Sequence, residues 1–123
     1  MERKPLGDLG EQLAKDYLKK KGYKLIETNY RCHSGEIDIV AKQKNCLVFV
    51  EVRTKSTQVY GSPEESLSPT KQTHMKKCAY YYLQNHKKLP ENWRIDLVAV
   101  ELDSFNKPVR IDILENPVEE YNL

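Results

Sequence analysis

Three acids, Glu36, Asp38 and Glu51, followed closely by Arg53 and Lys55, are the residues of this chain whose types and spacing could do chemistry. Glu36-Ile37-Asp38-Ile39-Val40-Ala41 alternates acid and aliphatic. As a strand it presents Glu36 and Asp38 on one face and Ile37, Ile39 and Ala41 on the other. In Cys46-Leu47-Val48-Phe49-Val50-Glu51-Val52-Arg53, nearly all β-branched or aromatic, the same period puts Glu51, Arg53 and Lys55 on one face. A hairpin closed through Lys42 to Asn45 that leaves Asp38 opposite an odd-numbered residue gathers all five groups.

Facing acids repel, and burying each unpaired ion costs several kcal/mol, so folding alone gives little reason for the arrangement. A divalent cation would supply one. Mg²⁺ (or Mn²⁺) takes hard oxygen ligands, including one or two carboxylates, which Asp38 and Glu51 offer, with the backbone carbonyl of Val52 alongside. Such an ion can acidify a water and neutralise charge developing on a phosphodiester. Arg53 suits the orientation of a phosphate, but its high pKa makes it a poor proton acceptor, which leaves Lys55 or Lys71 to handle a proton.

Each residue alone has a plainer reading. Glu36 and Asp38 fit a solvated strand face, Arg53 and Lys55 fit cross-strand ion pairs, Glu11 fits an acid complementing a helix dipole, and Lys71 fits a solvated lysine. Their joint occurrence favours a site. Other chemistries are not indicated: Cys32, His33, His74 and His86 have no zinc-ligand spacing, and neither GxGxxG nor a P-loop occurs.

The elements that must position these residues read as αβββαβ followed by a last β. Leu9, Leu13, Ala14, Tyr17 and Leu18 form a helical stripe ending before Gly22. Glu11 lies at the N-terminal edge of that stripe. Tyr23 to Tyr30 is a strand, and His33 to Gly35 turns the chain into the acidic hairpin. Gly61, Pro63 and Pro69 mark a loop, and Ser68-Pro69 starts a second helix whose stripe of Met75, Cys78, Ala79, Tyr82 and Leu83 runs back to Lys71. There a helix N-terminus also favours phosphate oxygens. Trp93 to Val100 and Val109 to Leu114 complete the strands.

The length of 123 residues predicts one domain over 1–123, with a core of about 7–115 and a C-terminal tail 116–123. Twenty Lys and Arg against eighteen Asp and Glu leave a net charge of +2, so any nucleic-acid preference rests on local lysine clusters around an acidic centre. Three cysteines without a CxxC point to unpaired thiols and a reducing compartment. With no leader-like N-terminus and no run approaching the roughly 20 apolar residues of a membrane span, a cytoplasmic protein without membrane contact is expected.

Gly-Asp-Leu-Gly-Glu11-Gln-Leu-Ala, Asn29-Tyr-Arg, Gly35-Glu36-Ile-Asp38-Ile-Val, Phe49-Val-Glu51-Val-Arg53-Thr-Lys55, Tyr60-Gly-Ser-Pro and Pro69-Thr-Lys71-Gln72, in this order, resemble the YraN family of small bacterial proteins from about Gly7 to Val100. That family is similar in pattern to the PD-(D/E)XK nucleases, especially archaeal-type Holliday junction resolvases. The resemblance implies a restriction-endonuclease-like three-layer α/β fold with a mixed central sheet flanked by helices. It also implies a magnesium-dependent site, with Asp38 and Glu51 as metal-binding acids, Glu11 as an extra acid, Arg53 where the nuclease motif has lysine, and Glu36 and Lys71 as positions typical of the YraN pattern. Contacts to nucleic acid, expected to be DNA, would come from Arg53, Lys55, Lys71 and Gln72, and a homodimer is implied because two scissile strands need two sites. The expected function is metal-dependent DNA cleavage, with a noncatalytic nucleic-acid-binding or adaptor module as the alternative, since arginine resists giving up a proton.

Overall fold

Apolar residues at three- and four-residue steps build the first helix, α1 (Pro5–Lys20), which turns Ala14 and Leu18 into the core. It stops where Gly22 takes φ +92°. The amide of Gly22 donates to Lys19 O and that of Tyr23 to Leu18 O, both at 3.0 Å, a glycine-based stop that satisfies the last carbonyls. The computed structural model describes residues 5–57 and 61–115. Residues 1–4, Tyr60 of the Tyr-Gly-Ser-Pro motif and the tail 116–123 lie outside the described residues.

Five strands follow: β1 (Lys24–Cys32), β2 (Gly35–Gln43), β3 (Cys46–Ser56), β4 (Asn92–Leu102) and β5 (Pro108–Glu115). A single 3₁₀ turn, Glu64–Ser66, and the helix α2 (Pro69–Asn85) separate β3 from β4. Ser68 caps α2, its Oγ accepting the amide of Lys71 at 3.2 Å, with Pro69 in the first turn as its fixed φ prefers. The sheet order is β1-β2-β3-β4-β5; β3 and β4 run parallel across the α2 crossover, and the other neighbours are antiparallel. Central strands covered on both faces need apolar residues at nearly every position, and β3 and β4 have them.

The sheet is therefore the middle of three layers. Ile39, Ala41, Val48, Val50, Val98 and Val100 pack beneath α1, whereas Val40, Leu47, Phe49 and Ile95 pack beneath α2 with Met75, Cys78 and Tyr82. This is the expected α/β fold, a mixed sheet flanked by helices in αβββαβ order with β5 added. The strands run longer than their apolar cores because ladder hydrogen bonds carry them into polar ends.

One expectation is overturned. Cys32 and Cys78 are disulfide-bonded, their Cα atoms 6.1 Å apart, and Cys46 is the free cysteine. The pair is 46 residues apart and meets only because α2 packs on the end of β1, so spacing gave no sign of it. The cysteines thus give no support for a reducing compartment. No helix among the described residues is long and apolar enough to cross a membrane.

At one end of the sheet a buried acid is fully matched. Arg94 Nε donates to both oxygens of Asp96 at 3.0 Å, and its Nη2 reaches Tyr23 Oη at 3.1 Å and Gln43 Oε1 at 2.7 Å. Asp96 is 1% exposed, so the pair's hydrogen bonds offset a desolvation penalty of several kcal/mol. Asp38 and Glu51, which are buried as well, are held differently.

Candidate active site

The β2–β3 ladder pairs Gln43 with Cys46, Lys42 with Leu47, and so on to Ile39 with Val50. Even-numbered residues of β2 oppose odd-numbered residues of β3, the register that gathers the acids. Beyond Val50 no backbone pairing continues. Instead the Asp38 carboxylate takes the place of a backbone acceptor, its Oδ2 receiving the amide of Val52 at 2.8 Å. The two strands part there, and an acid fills the gap.

Strand alternation also breaks at this point. Ile37 packs under α2 with Val40, while Ile39 and Ala41 pack under α1, so the expectation that all three share one face is corrected. The neighbouring strand shows the cause. In the β1–β2 register Thr28 meets Ile39 and Tyr30 meets Ile37, and Asn29 between them, opposite Asp38, has φ 53°. A left-handed residue kinks the strand, which asparagine tolerates better than most side chains.

Asp38 and Glu51 are 9% and 8% exposed and line the same cleft. Burial holds Asp38 well above the usual carboxylate range, and the negative charges of Glu51 and Glu11 push it further, against the amide of Val52. Partial relief for Glu51 comes from Arg53, whose Nη1 lies 3.3 Å from its Oε2. Unlike Asp96, these acids have no arginine covering both oxygens among the described residues.

Glu11 reaches the site because α1 presses against β3 at Gly10. A methyl group there would sit 1.8 Å from Thr54 Oγ1, so only glycine permits this approach. The cleft between the starts of α1 and α2 measures about 580 Å³, and its walls include Glu11, Glu36, Asp38, Glu51, Arg53 and Lys71. Val52 lines it as well, with its N–H committed to Asp38. Glu36 is oriented by Arg31 Nε at 3.2 Å and Asn29 Nδ2 at 3.4 Å.

Two expected residues stand elsewhere. Lys55 lies further along β3, opposite Glu101 of β4, and is outside the cleft wall. Gln72 donates through Nε2 to Leu67 O at 3.2 Å and braces the loop before α2. His74, which has no sequence partner, is on the wall; its position three residues after Lys71 on one helix face is the signal that could have found it. Ser66 had no such signal, yet its Oγ accepts from Arg53 Nε at 2.7 Å. His86 stacks on Tyr82 with ring centres 3.7 Å apart, away from this cleft.

Two buried carboxyl groups line the cleft, hard oxygen donors of the kind that could hold a divalent cation. Among the described residues no group of three or more His, Cys, Asp and Glu side chains is arranged to hold a metal, so Asp38 and Glu51 would supply the protein ligands and solvent the rest.

The model of a family described as "Uncharacterised protein family UPF0102" matches residues 10–100. A UPF0102 protein of Dehalococcoides mccartyi is 45% identical over 118 residues, covering 96% of both chains. One from Caldicellulosiruptor saccharolyticus is 40% identical over 116 residues, covering 94% of this chain and 98% of its own. Another, from Clostridium botulinum, is 40% identical over 116 residues, covering 92% and 93%. The match spans α1 from residue 10 onward, all of α2, the acidic hairpin and every wall of the cleft except Gly7, and the chain belongs to the UPF0102, or YraN, family.

Proposed function

We propose that the protein hydrolyses DNA phosphodiester bonds with the help of Mg²⁺ or Mn²⁺, acting on branched or otherwise structured DNA. The observation that carries this reading is the convergence of Asp38 and Glu51 at the gap between β2 and β3, two buried acids that have no full countercharge among the described residues. A divalent ion held there would lower the pKa of a bound water and offset charge on the scissile phosphate. The protein's own residues do the positioning. Arg53 and Lys71 stand on the wall beside the acids and suit non-bridging phosphate oxygens, Lys71 with the added field of the α2 N-terminus. Glu11 adds negative charge that strengthens cation binding. Arg53 and Lys71 serve as cations toward phosphate, so the attacking water's proton leaves to solvent or through His74 on the same wall. Two scissile strands call for two sites, which a homodimer would provide.

Labelled junction, flap, single-stranded and duplex DNA incubated with Mg²⁺ and with Mn²⁺ test this directly. Cleavage is expected in at least one case. Asp38→Ala and Glu51→Ala should each lower it by about 10²-fold or more while DNA binding stays equal or tightens, because removing an acid reduces repulsion from phosphate. Intact substrates with both metals would remove the enzyme reading. A second reading, a noncatalytic nucleic-acid-binding module, is favoured by Arg53 standing in ion pair with Glu51 where a proton-donating lysine would be expected. Its affinity should fall with salt and ignore Mg²⁺.

A further inference from the structure

The loop before α2 holds residues that none of the expected chemistry uses. Ser66 ends the 3₁₀ turn, and its hydroxyl has one proton, which it donates to Pro63 O at 2.6 Å. The oxygen's lone pairs then face Arg53, whose Nε donates to it at 2.7 Å. With Nη1 on Glu51, two nitrogens of the fork are fixed by two different elements. A guanidinium is planar, so two such bonds set the plane in which its remaining donors point.

A three-residue 3₁₀ turn has little stability of its own. This one is fastened to the far edge of the sheet. Arg110 of β5 grips Glu64 with Nη2 to Oε1 at 2.9 Å and Nη1 to Oε2 at 3.1 Å, a bidentate pair. Arg110 is itself held on the sheet by Glu101 of β4 and by Asp112 Oδ2 at 2.9 Å. Ser62 closes the loop from the other side, its amide donating to Glu65 Oε1 at 2.6 Å.

We propose that Ser66 is a positioning residue that aims Arg53 into the cleft, and that the Arg110–Glu64 pair holds the loop so that Ser66 stays in place. This inference rests on the reading of Arg53 as the phosphate-orienting group, and it adds a second tier of control reaching to β5. Loss of aim by about 1 Å can cost about 10²-fold in rate.

The test uses the full chain and two readouts, one of which needs no nuclease activity. In ¹H–¹⁵N spectra, the Nε–H of Arg53, assigned by its absence in Arg53→Lys, should exchange slowly with solvent in the wild type. Ser66→Ala should speed that exchange by about tenfold or more, Glu64→Ala by less, and Ser66→Thr, which keeps the hydroxyl, should restore it. With a cleaved DNA substrate, Ser66→Ala should lower kcat by about 10- to 10²-fold with KM nearly unchanged, at a melting temperature close to wild type. Unchanged exchange in Ser66→Ala overturns the proposal. If the wild type cuts no DNA, the functional reading fails while the exchange arm still decides whether Ser66 fixes Arg53.

Discussion

Asp38 is the residue on which the site turns. Its side chain replaces a rung of the β2–β3 ladder, and burial together with the charges of Glu51 and Glu11 favours its neutral form. The consequence for stability has a definite sign. Because the folded state holds the Asp38 proton more tightly than the unfolded chain, that stabilisation is complete below about pH 4 and is lost as pH rises through the elevated value. Asp38→Asn keeps an oxygen for the Val52 amide and carries no charge. In chelator, this variant should be more stable than wild type at pH 8 by about 0.5–2 kcal/mol, and its stability should vary less with pH across the neutral range. Denaturant melts of both proteins at several pH values check this. Glu64 behaves in the opposite sense: its hydrogen bonds to Arg110 hold it below the usual range, and that contribution fades as pH falls.

The elements carry the acids to one another through close approaches rather than through flexible side chains. α1 lies on β3 only as near as Gly10 allows, and a Cβ at that position would also stand 2.8 Å from Thr54 Cβ. Gly10→Ala should therefore shift α1 and Glu11 outward, lowering stability by about 1–3 kcal/mol and weakening cation affinity, as read from melts and from cation titrations. Much of this element plan was legible in the sequence. The β-branched and aromatic run from Cys46 to Arg53 marked β3, and Ser68-Pro69 marked the start of α2. The break at Asp38 was not legible, because it depends on Asn29 in the strand beside it adopting φ 53°. Strand periodicity is a local signal, and a kink imposed by a neighbour lies outside it. Ser66 was hidden for a related reason: its role comes from Arg53, thirteen residues away, and from a loop anchored by β5.

Across the whole molecule, the buried acids of the sheet are treated in two ways. Asp96 is matched by Arg94 in a buried pair, whereas Asp38 and Glu51 border a cleft between two helix starts, with Arg53 on one oxygen of Glu51 and Lys71 on the wall. The acids singled out in the sequence line one cleft, but which cations join them was not legible: Lys71 reaches the wall and Lys55 does not. It also missed the Cys32–Cys78 bond that fixes α2, and with it Lys71 and His74, to the end of β1. The proposed chemistry depends on the uptake of a divalent ion by Asp38 and Glu51. Isothermal titration of Mn²⁺ and Mg²⁺ into the protein near neutral pH, repeated in buffers of different ionisation enthalpy, measures it most directly. Saturable binding to the wild type with release of a proton, abolished in both Asp38→Asn and Glu51→Gln, is the predicted result. No binding of either ion, or binding that both variants retain, would contradict it.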